Sequence, residues 1–424
     1  MPKKSKKRTK KGSSRSPRRC TTGAKNVLKI AIISSIAIDL GFYSTIFTTL
    51  GEKVLAQIYL LDPSKTQEML DNTDLFFATA ALVSVIASGY LANKLGRYFT
   101  FLLSLLISGV SYVLYFRNNL TLLLIARLLS GVVIGLGAST SQMLVKELFP
   151  RKFTFFGGAL LYFMAALSSF TFFAVRLLLG EKFLLNNWRF VVIAPAPFCV
   201  LRFLIFAVLK LETPEYFMAN KRRPFAKTLS IKVLDYIYKD GKAADKAWKK
   251  FEKLHDLEAE TNISTSTLCN TAWKKQFTAA LVVNIGQQFS GISFMDYFSA
   301  KYYQGSESRY ARLYCLVSSG LTLVCLVVVL NFGERIGRKN LLKFGALIQG
   351  VCLGGIVALE HFGLDKYVVV VVVLYSCFAA IGLKATTFIY TFDILPAIGA
   401  GICLGFQWGF SALLGKFIPA IIIE

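Results

Sequence analysis

Histidine is almost missing from this 424-residue chain, which holds two, His255 and His361. General acid–base and metal chemistry lose their commonest residue, and no P-loop, G-x-S-x-G segment or metal-ligand spacing takes its place. An enzyme is therefore disfavoured, and no cofactor or metal is expected. The eight cysteines (Cys20, Cys199, Cys269, Cys315, Cys325, Cys352, Cys377, Cys403) form no C-x-x-C pair and fall mostly inside apolar runs. They read as packing residues, which argues against a disulfide framework. Charge is scarce as well: 17% of residues are Asp, Glu, Lys or Arg, and the 24 acidic residues are half as many as the 49 basic ones. A water-facing surface needs more charge than this, so a soluble globule is excluded.

What is present is hydrocarbon: 54% of residues are hydrophobic and the mean hydropathy is +0.54. The apolar residues gather into runs of about 20, the length that crosses a hydrocarbon core of about 30 Å. Spans are expected at 26–50, 75–92, 98–116, 120–145, 155–179 and 190–210, then at 277–299, 310–332, 341–359, 367–392 and 400–423. The fold class is thus an all-α integral membrane protein with 11 predicted transmembrane helices. The formal net charge of +25 does not indicate nucleic acid, because Lys and Arg concentrate in the N-terminal tail and alternate loops. Lys94, Arg97, Lys146, Arg151, Lys152, Arg335, Arg338, Lys339 and Lys343 share one side, expected to be cytoplasmic together with the N-terminus. Arg176, Lys182, Arg189, Arg309 and Arg312 are outward exceptions.

Residues 1–25 form a basic tail expected to be disordered and suited to contact with anionic lipid. The first bundle is expected over 26–210 and the second over 277–424. Between them, 211–276 alternates charged and apolar positions, as short amphipathic helices on the cytoplasmic face would. The sequon Asn262-Ile263-Ser264 falls in this stretch and is expected to be unused.

The halves resemble each other. GYLANKLGR (Gly89 to Arg97) and NFGERIGRK (Asn331 to Lys339) each link the second and third spans of a half, and KELFP (Lys146 to Pro150) and FDILP (Phe392 to Pro396) each follow a fourth span. The offsets, 338 − 97 = 241 and 393 − 147 = 246, agree within a few residues, which indicates a duplicated helical unit.

At these residues the chain resembles the major facilitator superfamily, whose signature G-x-L-a-D-R-x-G-R is matched by Gly89, Leu91, Gly96 and Arg97, with Asn93 replacing Asp. ARLLSGVVIGLG, WRF (Trp188 to Phe190), LETPEYF (Leu211 to Phe217), ERIGRK and QQFSGISFMDYFS from Gln287 are similar to segments of the sugar-porter branch. The resemblance implies two helix bundles, a central mid-membrane site, alternating access and a monosaccharide substrate, with the plasma membrane the expected location. It also implies a twelfth helix and a P-E-T-K-G-R tail, which leaves the second bundle one helix short at Glu424.

Carried over residue by residue, the resemblance assigns substrate contact to Gln287, Gln288, Gln407 and Trp408. Amides suit sugar hydroxyls because they donate and accept without charge, and indole offers a flat apolar face. A plainer role for the Gln pair is to join helices. Ser293, Thr322 and Phe388 stand where the family carries Asn, Asn and Trp, so the site has fewer hydrogen-bonding groups than a hexose site of the family. Span ten also lacks the family's two prolines and is expected to be stiffer. The resemblance further assigns a cytoplasmic gate to Gly89, Gly96, Arg97, Arg127 and Glu147 in one half and to Glu334, Arg338, Lys339 and Asp393 in the other. The basic residue expected after FDILP is missing.

Tyr43 follows Gly41-Phe42 where proton-coupled relatives carry Asp, which favours a passive facilitator. Asp39, Asp296 and Lys384 nevertheless lie within apolar runs, at an insertion cost of about 2.5 to 3.5 kcal/mol each. They are candidates for coupling, with Asp296 and Lys384 expected to neutralise one another across the cavity; a structural salt bridge or snorkelling is the alternative. The competing functions are a proton-coupled carrier of a polar or charged solute and a nutrient sensor that binds without transporting.

Overall fold

A computed structural model describes residues 18–57, 62–117, 119–150, 153–220, 223–239, 241–260, 271–292, 295 and 309–423. The calls on residues 1–17, the sequon at 262–264, Ser293 and Asp296 lie outside them. Where apolar residues run uninterrupted, backbone groups facing hydrocarbon can be satisfied only within the segment, so helix is the outcome. In chain order the first half comprises α1 Arg18–Ser34, α2 Ala37–Gln57, α3 Pro63–Leu95, α4 Arg97–Phe116, α5 Leu120–Leu148, α6 Thr154–Leu179, α7 Glu181–Asn186, α8 Trp188–Ile193 and α9 Ala196–Leu209. Three helices follow: α10 Pro214–Asn220, α11 Arg223–Tyr238 and α12 Gly241–Glu260. The second half holds α13 Thr271–Phe289, α14 Arg309–Ile336, α15 Arg338–His361, α16 Asp365–Ala379, a π-helical turn Ala380–Lys384, α17 Ala385–Ile394 and α18 Ala397–Ile423.

Ten helical segments are long and apolar enough to cross a bilayer among the described residues. The eleventh expected span corresponds to α13, which carries Lys274 and Lys275 in its first turns and Asn284, Gln287 and Gln288 further on. Two expectations need correction. The basic tail does not stay irregular to residue 25: α1 begins at Arg18, because extending an existing helix costs far less than nucleating one. Span ten is not a plain stiff helix: it contains the π turn, where Gly382 packs on Gly345 so closely that a Cβ built on Gly382 would lie 2.3 Å from the Gly345 Cα. A π turn irregularises a helix without proline.

The internal repeat is visible in the backbone. Gly96 and Gly337, 241 residues apart, have φ of 101° and 85° and end α3 and α14 with the same hydrogen bond, N–H to the carbonyl four residues back (3.2 and 3.0 Å). Phe149 and Leu395, 246 apart, are both extended (ψ 156° and 152°), as residues before proline must be.

The halves meet chiefly where α18 lies along α3. Ala397, Gly401, Gly405 and Gly409 recur every fourth residue on one face of α18, a small-residue stripe that lets two backbones approach. A Cβ on Gly401 would lie 2.8 Å from the Val85 carbonyl oxygen. An apolar cluster of Val85, Met143, Ala280, Phe388, Phe392, Leu395 and Cys403 closes the junction from both halves. Leu234, Ala244 and Trp248 form a small core among α10–α12. Lys29 joins α1 to α11, donating to the Tyr236 carbonyl (3.3 Å).

Candidate functional site

Gln287 lies near the end of α13, 16 residues or about 24 Å beyond Thr271, and Gln407 lies 10 residues or about 15 Å beyond Ala397 on α18. Gln287 and Gln288 are buried, and the Oε1 atoms of Gln287 and Gln407 are buried without a hydrogen-bond partner. A buried orphan acceptor costs about 1 to 3 kcal/mol, so these oxygens mark a place suited to a donor-bearing solute. Trp408 packs edge-on to Phe77 of α3 (centroids 6.0 Å apart), bringing the indole to the boundary between halves.

Below this level are groups that the sequence reading did not single out. Asn284 donates to Thr391 Oγ1 (2.7 Å) and to the Ala280 carbonyl (2.8 Å), which leaves its Oδ1 unpartnered. Ser139 Oγ, Gln142 Oε1 and the Thr386 and Thr387 hydroxyls are likewise buried and orphaned. Their signal was weak, single polar residues in apolar runs. Phe388, expected to line the site, is buried against Tyr162 (5.9 Å) and Phe392 (5.1 Å) in the junction cluster. Thr322 is half-buried and donates to Ser318 of its own helix (3.0 Å). Lys384 sits at the end of the π turn; its expected partner Asp296 lies outside the described residues.

At the end carrying the basic turns, Arg97 Nε meets Glu147 at 3.0 Å and Arg97 Nη2 meets Glu215 at 3.6 Å. The second half repeats the motif with Arg338 Nε and Asp393 at 2.9 Å and adds Glu334 at 3.4 Å. Lys339 is exposed and joins no ion pair among the described residues. Gly89 fits α3 against α18: a Cβ there would lie 2.7 Å from the Ala397 carbonyl oxygen. Gly96 leaves room for the Glu212 carboxylate, which accepts from the backbone N–H of Arg97 (3.0 Å) and Tyr98 (3.2 Å) and so caps α4. Burial pushes the Glu212 carboxyl up to about 7 despite these bonds.

Arg127 does not belong to that gate. It lies 20 residues before Glu147 on α5, about 30 Å away along the helix axis. At the opposite end it donates to Asp74 (2.6 Å) and to the Tyr43 carbonyl (3.2 Å), between the rings of Phe47 and Phe77. The outward exception Arg176 is fully buried and paired with Glu181 at 2.8 Å, and Lys53 reaches the same carboxylate.

Asp39 is buried within the first bundle. Arg202 Nη2 reaches both of its oxygens at 2.7 Å, Ser108 donates at 3.1 Å and Tyr112 at 3.0 Å. Arg202 also holds the Ser35 carbonyl at 2.6 Å. Arg202 is the partner missed from sequence; its signal was a lone cation inside an apolar run.

The chain matches the sugar (and other) transporter family over residues 31–423. It is 23% identical to the arabinose-proton symporter of Bacillus subtilis, over 80% of this chain and 75% of that protein. To the facilitated glucose transporter member 2 of Sus scrofa it is 25% identical, over 72% of this chain and 59% of that protein. The galactose-proton symporter of Escherichia coli K12 is 21% identical, and the chain spans 63% of its length. Among solved structures, the proton:xylose symporter bound to 6-bromo-6-deoxy-D-glucose superposes with a TM-score of 0.81 at 16% identity, covering 94% of this chain and 89% of that one. The duplicated helical unit, the paired basic turns and this match over nearly the whole length place the chain in the sugar (and other) transporter family, with the major facilitator fold.

Proposed function

We propose that the protein carries a hexose-like sugar across a membrane by alternating access, as facilitated diffusion and without covalent chemistry or a cofactor. The observation that carries this reading is the pair of buried, unpartnered amide oxygens of Gln287 on α13 and Gln407 on α18, with the Trp408 indole at the boundary between the halves. A sugar hydroxyl supplies the donor that each oxygen lacks, and a ring face suits the indole. Gln288, Thr322 and Ser293 belong to the same proposed contact set. The gate role of Gly89, Gly96, Arg97, Glu147, Glu334, Arg338 and Asp393 is part of the proposal, with the N-terminus cytoplasmic, the basic tail on anionic lipid and the plasma membrane as location. Named relatives include both proton symporters and a facilitated transporter. Facilitated diffusion is favoured here because Asp39 is committed to Arg202, Ser108 and Tyr112 within one bundle.

The test is radiolabelled glucose uptake into proteoliposomes, with matched and imposed pH gradients, for wild type and Gln287→Ala. Saturable uptake indifferent to the gradient, with kcat/KM about fivefold to tenfold lower in the variant, is expected for loss of a hydrogen bond worth about 1 to 1.4 kcal/mol. Gradient-driven accumulation would replace facilitation with proton coupling. No uptake of any hexose by correctly inserted protein would leave the sensor reading.

A further inference from the structure

Proline at 396 creates a defect that another part of the chain repairs. In a continuing helix the Phe392 carbonyl would accept from the backbone N–H of residue 396, but Pro396 has none. Instead Lys146, on α5 of the other half, donates to the Phe392 carbonyl at 2.6 Å and to the Leu395 carbonyl at 3.4 Å. The ammonium thereby sits on the negative end of the α17 dipole. By the repeat offset of 246, the counterpart of Phe392 is Lys146 itself, so the arrangement is one-sided: the first half supplies a cation and the second half supplies carbonyls. This also places a cation at the junction although no basic residue follows FDILP.

We infer that Lys146 is a latch that holds the two halves together at the end carrying the basic turns, and that sets how often this gate opens. The inference rests on the alternating-access reading but not on the identity of the solute. Ser139, Gln142 and Lys146 occupy one face of α5 at spacings of three and four. Beyond the latch on that face, Ser139 Oγ and Gln142 Oε1 are buried without partners, as is Thr386 Oγ1 on α17. Opening the junction to water satisfies these atoms, so they oppose the latch and leave the gate near balance. Lys146 is a positioning residue: it touches neither the amide pair nor Trp408.

Native cysteines report the gate. Cys403 is fully buried in the junction cluster beside Phe392 and Leu395, whereas Cys199 is buried in the first half's own core. The experiment is reaction of the purified full chain in detergent with a water-soluble maleimide, mapped by peptide mass spectrometry. In Lys146→Met the Cys403 labelling rate is expected to rise about tenfold, the population shift for losing one charge-assisted hydrogen bond between states. Cys199 stays protected, and Lys146→Arg restores protection of Cys403. If Lys146→Met unfolds and exposes Cys199, Lys146→Gln is measured by the same criterion. Unchanged Cys403 labelling in a variant with Cys199 protected overturns the latch, as does an arginine variant that labels like methionine. No sugar enters the assay, so failure of glucose uptake would sink the substrate reading alone.

Discussion

The ion pair of Asp39 and Arg202 shows what a single buried charge demands. Neither side chain could be inserted among apolar helices alone, and removing one partner leaves the other uncompensated at about 3 to 5 kcal/mol. Asp39→Asn and Arg202→Met are each expected to lower the melting temperature in detergent, while the double substitution should cost less than their sum, read from a double-mutant cycle. Additive losses would mean that the pair is not coupled. Asp39 was legible as an intramembrane carboxylate, but its partner was not, because 163 residues separate the two. Arg127 shows the opposite error. Its family motif was legible, but assigning it to the gate ignored the length of α5, which carries it to the far end beside Asp74. Gln287 and Gln288 were legible as a polar pair in an apolar run and both are buried, whereas Ser139, Gln142, Asn284 and the two threonines carried no motif.

Helix ends were the most legible elements. Gly96 and Gly337 could be placed at turns, and Pro150 and Pro396 at helix ends, because these effects act within a few residues. The Glu212 cap on α4 was not legible, since Glu212 and Arg97 are 115 residues apart. It carries a pH prediction. Burial holds the proton on the native Glu212 carboxyl up to about 7, above its ordinary value of 4.5. Between these values the native state binds more protons than the unfolded chain, so this group's contribution to stability falls as pH rises from about 4.5 to about 7 and is level above that. Glu212→Gln, which mimics the protonated form, should therefore gain melting temperature relative to wild type between pH 5.5 and pH 8.5. A difference independent of pH would show that Glu212 does not titrate in this window. The π turn of span ten was not legible either, because it follows from the close seating of Gly382 on Gly345.

For the molecule as a whole, alternating access requires that α18 move along or away from α3. A Cβ on Gly405 would lie 2.6 Å from Ile86 Cγ1, so Ile86→Cys with Gly405→Cys places two thiols across the junction. Oxidation is expected to cut uptake to background and reduction to restore it; full uptake by the crosslinked protein would show that this contact does not open. The sequence by itself determined the membrane-spanning class, the helical runs and the duplication. Each of these depends on hydropathy and backbone chemistry within one segment or on comparison of segments. Only the tertiary structure decided which charges neutralise one another, which buried amide oxygens are left without a partner, and that Lys146 supplies the bond denied by Pro396. Those outcomes depend on contacts between residues as many as 249 positions apart, whose distances arise only when the bundles pack.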